Sequence, residues 1–269
     1  MTAEDPGKAP PPTGSASRQD RPGTTHFGFE EVAEADKGPR VRGVFESVSN
    51  RYDLMNDLMS GGVHRLWKTA MVDWLNPRPG QSLLDVAGGT GDVAIRVIRR
   101  VGPERCGPVV VCDLTPDMLA VGRDRALDRG LLTGLHWVCA DAEALPLPDR
   151  CMDAYTIAFG LRNVTRIDQA LAEARRVLRP GGRFLCLEFS RVVLPVFAKL
   201  YDLYSFNVLP AMGELVAGDR DAYRYLVESI RRFPAQDDLA KLMGAAGLGQ
   251  VRYRNLTGGV AALHSAWRL

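Results

Sequence analysis

The stretch Leu83-Leu84-Asp85-Val86-Ala87-Gly88-Gly89-Thr90-Gly91-Asp92 constrains this chain more than any other: an apolar run breaks into glycines between two carboxylates. Apolar residues that end in Gly-Gly-Thr-Gly and resume as Val93-Ala94-Ile95-Arg96-Val97-Ile98 read as strand, tight turn and helix. Such a turn lets backbone approach a nucleotide-like ligand closely.

Downstream of a break at Asn76-Pro77-Arg78-Pro79-Gly80 the alternation is regular, with strands at 82–87, 108–113, 135–140, 153–158 and 183–189 and helices at 92–101, 116–129 and 167–178. Ile167, Ala170, Leu171, Ala174, Val177 and Leu178 form one stripe, and Arg179-Pro180-Gly181-Gly182 reads as the stop of that helix. Two closing strands, near 251–257 and 260–267, bring the count to seven. The pattern predicts an α/β fold with a mostly parallel sheet and helices on both faces. In such sheets ligands bind beyond the carboxyl ends of the strands.

Three nucleotide ligands compete for the turn. A phosphate-gripping loop needs Gly-Lys-Ser/Thr, and here Asp92 follows the last glycine, which excludes it. Gly89-Thr90-Gly91-Asp92-Val93-Ala94 does satisfy the dinucleotide pattern, with Asp113 about twenty residues on as a ribose acid. Charge argues the other way, because a pyrophosphate wants uncompensated N–H donors and this turn carries Asp85 and Asp92. The cationic nucleoside S-adenosylmethionine suits it: Asp113 can hold a ribose diol, and the segment Asp141-Ala142-Glu143, after the next strand, can take the adenine amino group. A dinucleotide-dependent reductase stays open on the turn alone.

At 269 residues, 46% hydrophobic and a net charge of +2, the chain predicts one ordinary domain with no electrostatic case for nucleic acid. Cys106, Cys112, Cys139, Cys151 and Cys186 lack paired metal spacing, and three fall in predicted strands, so reduced core residues and a cytoplasmic location are expected, with no metal. No secretory segment opens the chain and its apolar runs are too short to span a bilayer. Residues 1–37, with Pro6, Pro10, Pro11, Pro12 and Pro22, read as a mobile tail. A first helix then carries Val44, Val48, Tyr52, Met55 and Met59 on one face, with Tyr52 and Asn56 able to present polar groups to a ligand; a second runs from about His64 to Leu75. Residues 192–217 are apolar but interrupted by Pro195, Lys199, Asp202, Pro210 and Glu214, which suits a lipid groove, an interface or ordinary core helix.

The connection Phe159-Gly160-Leu161-Arg162-Asn163-Val164-Thr165 lies on the same rim, which places Arg162 and Asn163 beside a ligand's reactive end. This block, with Arg51-Tyr52-Asp53-Leu54-Met55-Asn56-Asp57, His64-Arg65-Leu66-Trp67-Lys68, the glycine turn, Leu187-Glu188-Phe189-Ser190, Tyr223-Arg224-Tyr225-Leu226 and Asn255-Leu256-Thr257-Gly258-Gly259, closely resembles the ubiquinone/menaquinone biosynthesis C-methyltransferase family of class I S-adenosylmethionine-dependent enzymes. The resemblance covers roughly 41–268. It implies the three-layer Rossmann-like class I methyltransferase fold for a domain over 38–269, with a helical cap at 41–76 and a helical substrate-side insertion at 192–233. It also implies cofactor contacts at Gly89, Thr90, Asp113, Asp141 and Ala142, with S-adenosylhomocysteine as product. Members often have Asn at 141 and Ser at 158, where this chain has Asp141 and Ala158.

The implied reaction methylates a ring carbon of a polyprenylated benzoquinol or of demethylmenaquinol. The carbon becomes nucleophilic only through its ring oxygen, and a free phenol, with a pKa of about 10, is mostly neutral at physiological pH. Arg162 is suited to stabilise the phenolate, but with a pKa above about 12 it is a poor base. Proton removal is assigned to Asp92, or to a water held by Asp92, Tyr52 and Asn163, with His64 as the second choice. Peripheral contact with the inner membrane, a homo-oligomer and a place in a quinone-biosynthesis complex, as a catalyst or as a silent subunit, are all compatible with the resemblance.

Overall fold

The computed structural model describes residues 23–48, 57, 60–131, 133–193 and 220–269. The central sheet grows from runs of Val, Leu, Ile and Phe long enough to be covered on both faces. Its strands are β3 (Leu83–Val86), β4 (Val109–Asp113), β5 (Leu135–Cys139), β6 (Met152–Ala158), β7 (Leu178–Phe189), β8 (Gly249–Leu256) and β9 (Ala261–Trp267). They lie in the order β5-β4-β3-β6-β7-β9-β8. The first five are parallel; β9 runs antiparallel beside β7, and β8 pairs with it at the edge. This is the seven-stranded, mostly parallel architecture the sequence predicts.

Strand periodicity sorts the side chains into two cores. Leu83, Val109, Val111, Leu185 and Leu187 join one cluster with Trp67, Val93 and Tyr223. Their neighbours Leu84, Val110, Cys112, Phe184 and Cys186 join the other with Leu171 and Met243. Helices α2 (His64–Leu75) and α3 (Asp92–Val101) contribute to the first, and α5 (Ile167–Val177) and α7 (Gln236–Ala245) to the second. The predicted α5 stripe is real: Ala170, Leu171, Ala174 and Val177 are buried. Arg179-Pro180-Gly181-Gly182 does more than end that helix, since these residues already lie within β7. Arg268 bonds the carbonyls of Arg175, Arg176 and Leu178, supplying the donors that a helix C-terminus lacks. Cys112 and Cys186 are buried and Cys139 is exposed; all five cysteines are free thiols.

The chain leaves β3 for β4 and β5 on one side, then returns to the other side of β3 with β6. The reversal puts a crevice at the carboxyl ends of β3 and β6, where open α/β sheets bind ligands. Helix α4 (Pro116–Asp128) follows β4, and α6 (Arg220–Arg232) precedes α7.

The N-terminal expectation needs correction. Residues 24–37 are built into the molecule: β1 (Thr24–Phe27) and β2 (Glu30–Ala33) form an antiparallel hairpin, and α1 (Glu34–Val48) begins directly after it. The proline count misleads because only Pro22 lies near the hairpin, which gains what a tail lacks: Phe27 stacks on Tyr225 at 4.2 Å, Phe29 N donates to Glu228 Oε2 at 3.0 Å, and Val32 and Val41 are buried. Tyr52, Asn56, Met55 and Met59, and most of the apolar stretch 192–217, lie outside the described residues.

Candidate cofactor and substrate site

A cleft of about 820 Å³, its open mouth included, sits at the crevice. Four successive strand ends build it: Val86, Ala87 and Gly89 after β3, Asp113 to Thr115 after β4, Ala140 to Glu143 after β5, and Phe159, Gly160 and Asn163 after β6. Gly38, Val41, Arg42 and Phe45 of α1 line its remaining side. The sequence predicts a helix here that can face the ligand, but starts it after residue 37 and looks to Tyr52 and Asn56, whereas the wall is made by its earlier residues from Gly38 to Phe45.

Two non-glycine residues at the crevice hold left-handed backbone: Ala87 at φ 49° and Phe159 at φ 58°. They follow the adjacent strands β3 and β6, and a Cβ on Gly160 would overlap the Cβ of Ala87. Each such residue costs roughly 1–2 kcal/mol, and such strain clusters where a ligand is gripped. Gly91 (φ 76°) precedes α3, and a side chain there would meet Trp137 at 2.8 Å.

Asp113 accepts from Gly89 N at 2.8 Å and Thr115 N at 2.9 Å, so it braces the glycine turn while lining the cleft. Burial lifts its pKa above the ordinary carboxylate value, against the pull of these donors. Asp141 and Ala142 line the cleft as well. Glu143 acts as a fastener between loops. It receives Thr165 N, Arg166 N and Arg166 Nε at 2.9–3.0 Å, tying the loop after β5 to the loop after β6. Thr90 is buried outside the cleft lining, its hydroxyl 3.4 Å from Arg125.

Asp85 lies beneath the turn and not in the lining, unlike Asp113 and Asp141, which reach the cleft. It receives Thr156 Oγ1 at 2.7 Å and Ala94 N at 3.3 Å, and burial pushes its pKa up to about 7. The folded state therefore binds this proton more tightly than the unfolded chain. The stability this group contributes is fully present below about pH 4 and is lost as pH rises towards 7, by up to about 4 kcal/mol. Asp85→Asn keeps both contacts, donating to Thr156 and accepting from Ala94. It is expected to raise stability above pH 7 and to match the parent near pH 4, as read by urea unfolding at the two pH values.

Around the proposed chemistry the picture changes. Asp92 receives Lys68 Nζ and Arg96 Nε, each at 3.0 Å; burial raises its pKa, but the two cations outweigh that and hold it below the usual range. It does not line the cleft, and its two ion pairs tie α2 to α3. His64, the second choice, is buried with Nε2 2.9 Å from Asp57 Oδ1, and burial depresses its pKa. Arg162 is not a bare cation. It and Glu188 are each 1% exposed and joined at 2.8 Å, and Arg162 N donates to the other Glu188 oxygen at 3.0 Å. Phe159 O accepts a further guanidinium hydrogen, while Nε is buried without a partner among the described residues. Glu188 was legible as a carboxylate inside an apolar strand, which has to be paired.

Residues 32–268 match the model of the ubiE/COQ5 methyltransferase family. The chain belongs to that family. It is 60% identical over 250 residues to a ubiquinone/menaquinone biosynthesis C-methyltransferase from Paracoccus denitrificans, covering 93% of this chain and 99% of the relative. A protein of the same name from Brucella abortus is 55% identical over 258 residues, covering 93% and 95%. Among solved structures, a SAM-dependent methyltransferase from Thermotoga maritima superposes with a TM-score of 0.60 at 17% identity, covering 85% of this chain and all of that one. Another, from Aquifex aeolicus, gives 0.55 at 16%, covering 80% and 97%. These two share the fold, and the crevice lies at the end of the sheet where such folds bind ligands.

Proposed function

We propose that this chain methylates a ring carbon of a polyprenylated quinol: 2-methoxy-6-polyprenyl-1,4-benzoquinol in ubiquinone synthesis, demethylmenaquinol in menaquinone synthesis, or both. The observation that carries the reading is the 60% identity, over nearly the full length of both chains, to a protein named for that reaction.

The residues present fit S-adenosylmethionine. Asp113 lines the cleft with a carboxylate, the acceptor type that a ribose diol requires. Asp141 and Ala142, which line the cleft, are assigned to adenine, and Gly89 keeps the cleft wall free of side chain. Gly89 and Ala87 form the nearby wall, and Thr90 is buried outside the lining. When bound, the cofactor supplies an electrophilic methyl group on its sulfonium.

The protein's share is alignment and stabilisation of the ring oxygen as a phenolate. Arg162 forms a buried pair with Glu188 and borders the neighbouring cleft, one residue from Asn163 in the cofactor cleft, so its assigned role is to stabilise the phenolate from behind that lining. Asn163, which lines the cleft, offers a second polar contact. Proton removal is assigned to Asp92, or to a water held by Asp92, Asn163 and Tyr52, the last of which lies outside the described residues. Among the described residues no helix is long and apolar enough to cross a membrane.

Calorimetric titration with S-adenosylmethionine and, separately, NADH tests the cofactor. Binding of the first alone is expected, and tight binding of NADH alone overturns the reading. Asp113→Ala is expected to weaken cofactor binding about 10- to 100-fold, the loss of charge-assisted hydrogen bonds. A diol donates to the ionised carboxylate, so affinity in the parent falls as pH is lowered through the raised Asp113 pKa, and this dependence disappears in the variant.

A further inference from the structure

Asn163 is held from outside the cofactor cleft. Tyr225 of α6 donates its hydroxyl to Asn163 Oδ1 at 3.1 Å, while Asn163 N donates to Gly160 O at 3.0 Å. Tyr225 is 3% exposed and borders a neighbouring cleft between the N-terminal hairpin, residues 162–168 and α6. Asn163 borders the cofactor cleft itself.

An asparagine amide has one end that accepts and one that donates, and the end turned to the reacting groups decides what it can do there. With Oδ1 occupied by Tyr225, the two Nδ2 hydrogens are what Asn163 has left to offer. The Tyr225 phenol is held neutral by burial, so it can keep donating across the working pH range. Its ring cannot swing away, because Phe27 of β1 stacks on it at 4.2 Å and 18°, and the hairpin is fixed in turn by Phe29 N on Glu228 Oε2 at 3.0 Å.

We propose that Tyr225 is a positioning residue: its hydroxyl locks the Asn163 amide with the NH2 end available to a ring oxygen or to the water that takes its proton, and Phe27 clamps Tyr225. This rests on the quinol-methylation reading above. Without the hydroxyl the amide can rotate and present its carbonyl, which repels a phenolate.

Tyr225→Phe tests this, since it keeps the stacked ring and removes only the donor. The expected result is a kcat about tenfold lower, roughly one hydrogen bond's worth, with quinol KM and cofactor Kd changed by less than about twofold. Asn163→Ala lowers kcat at least as far, and adding Tyr225→Phe to it costs nothing more. Full kcat in Tyr225→Phe, or losses that multiply in the double variant, overturns the proposal. The side-chain amide signals of Asn163 in 15N-labelled protein give a readout independent of turnover: distinct in the parent, shifted and broadened in Tyr225→Phe. Unchanged signals overturn the proposal even if activity falls. A parent protein that methylates neither quinol defeats the functional reading instead, leaving these signals to judge the amide lock.

Discussion

Arg162→Ala is expected to abolish methyl transfer and, at the same time, to destabilise the fold by about 3–5 kcal/mol. The second effect follows from burial. Arg162 and Glu188 are each 1% exposed, so removing the guanidinium strands a carboxylate in the core. Burial already drives the Glu188 pKa upward, against the pull of Arg162, and without that cation the group must take a proton or remain unpaired. Arg162→Met combined with Glu188→Gln separates the two effects. Both side chains are then neutral, and the new amide still offers an acceptor to the backbone N–H of residue 162. Stability should largely return while activity stays lost, as urea unfolding and methyl-transfer assays on the same preparations would show. An Arg162→Ala protein of undiminished stability would contradict the buried pair, and an active one would remove Arg162 from the chemistry.

Gly160→Ala is the second change with a large expected effect. Its new Cβ would lie 2.3 Å from the Ala87 Cβ, at the crevice between β3 and β6. One wall of the cofactor cleft has to move, so cofactor affinity should fall more than about tenfold, with a stability loss of roughly 1–3 kcal/mol from overpacking. Ala87→Gly removes the opposing methyl group. Alone it also relaxes a residue held at φ 49°, a gain of about 1 kcal/mol. The double variant should recover most of the affinity and stability in calorimetry and thermal unfolding. If it behaves like Gly160→Ala alone, the contact with Ala87 is not the cause.

These two sites show where a sequence is legible and where it is not. The glycine turn, the strand ends carrying Asp113 and Asp141 and the Phe159–Thr165 connection are readable because each is a local event: a periodicity breaks, and a polar residue stands at the break. Pairing across the sheet is not local. Nothing near Arg162 announces Glu188, 26 residues on, nor does Asp92 announce Lys68, 24 residues before it, and those partners make one residue half of a buried pair and the other a tie between two helices. The N-terminal hairpin escapes a sequence reading for a related reason. Composition scores a segment by what it could bury alone, whereas Phe27 and Phe29 are fixed by Tyr225 and Glu228, far away in the chain.

Methyl transfer to the carbon of a reduced ring is the step on which everything else depends, and one assay addresses it. Full-length protein is incubated with radiolabelled S-adenosylmethionine and each demethylated polyprenyl quinone, either kept reduced or left oxidised, and the lipid extract is analysed for carbon-bound label. Label is predicted in at least one quinol under reducing conditions and in neither oxidised ring, because only the reduced ring can place phenolate charge on its carbon. Absence of label from both quinols, in protein that binds the cofactor, would contradict quinol methylation.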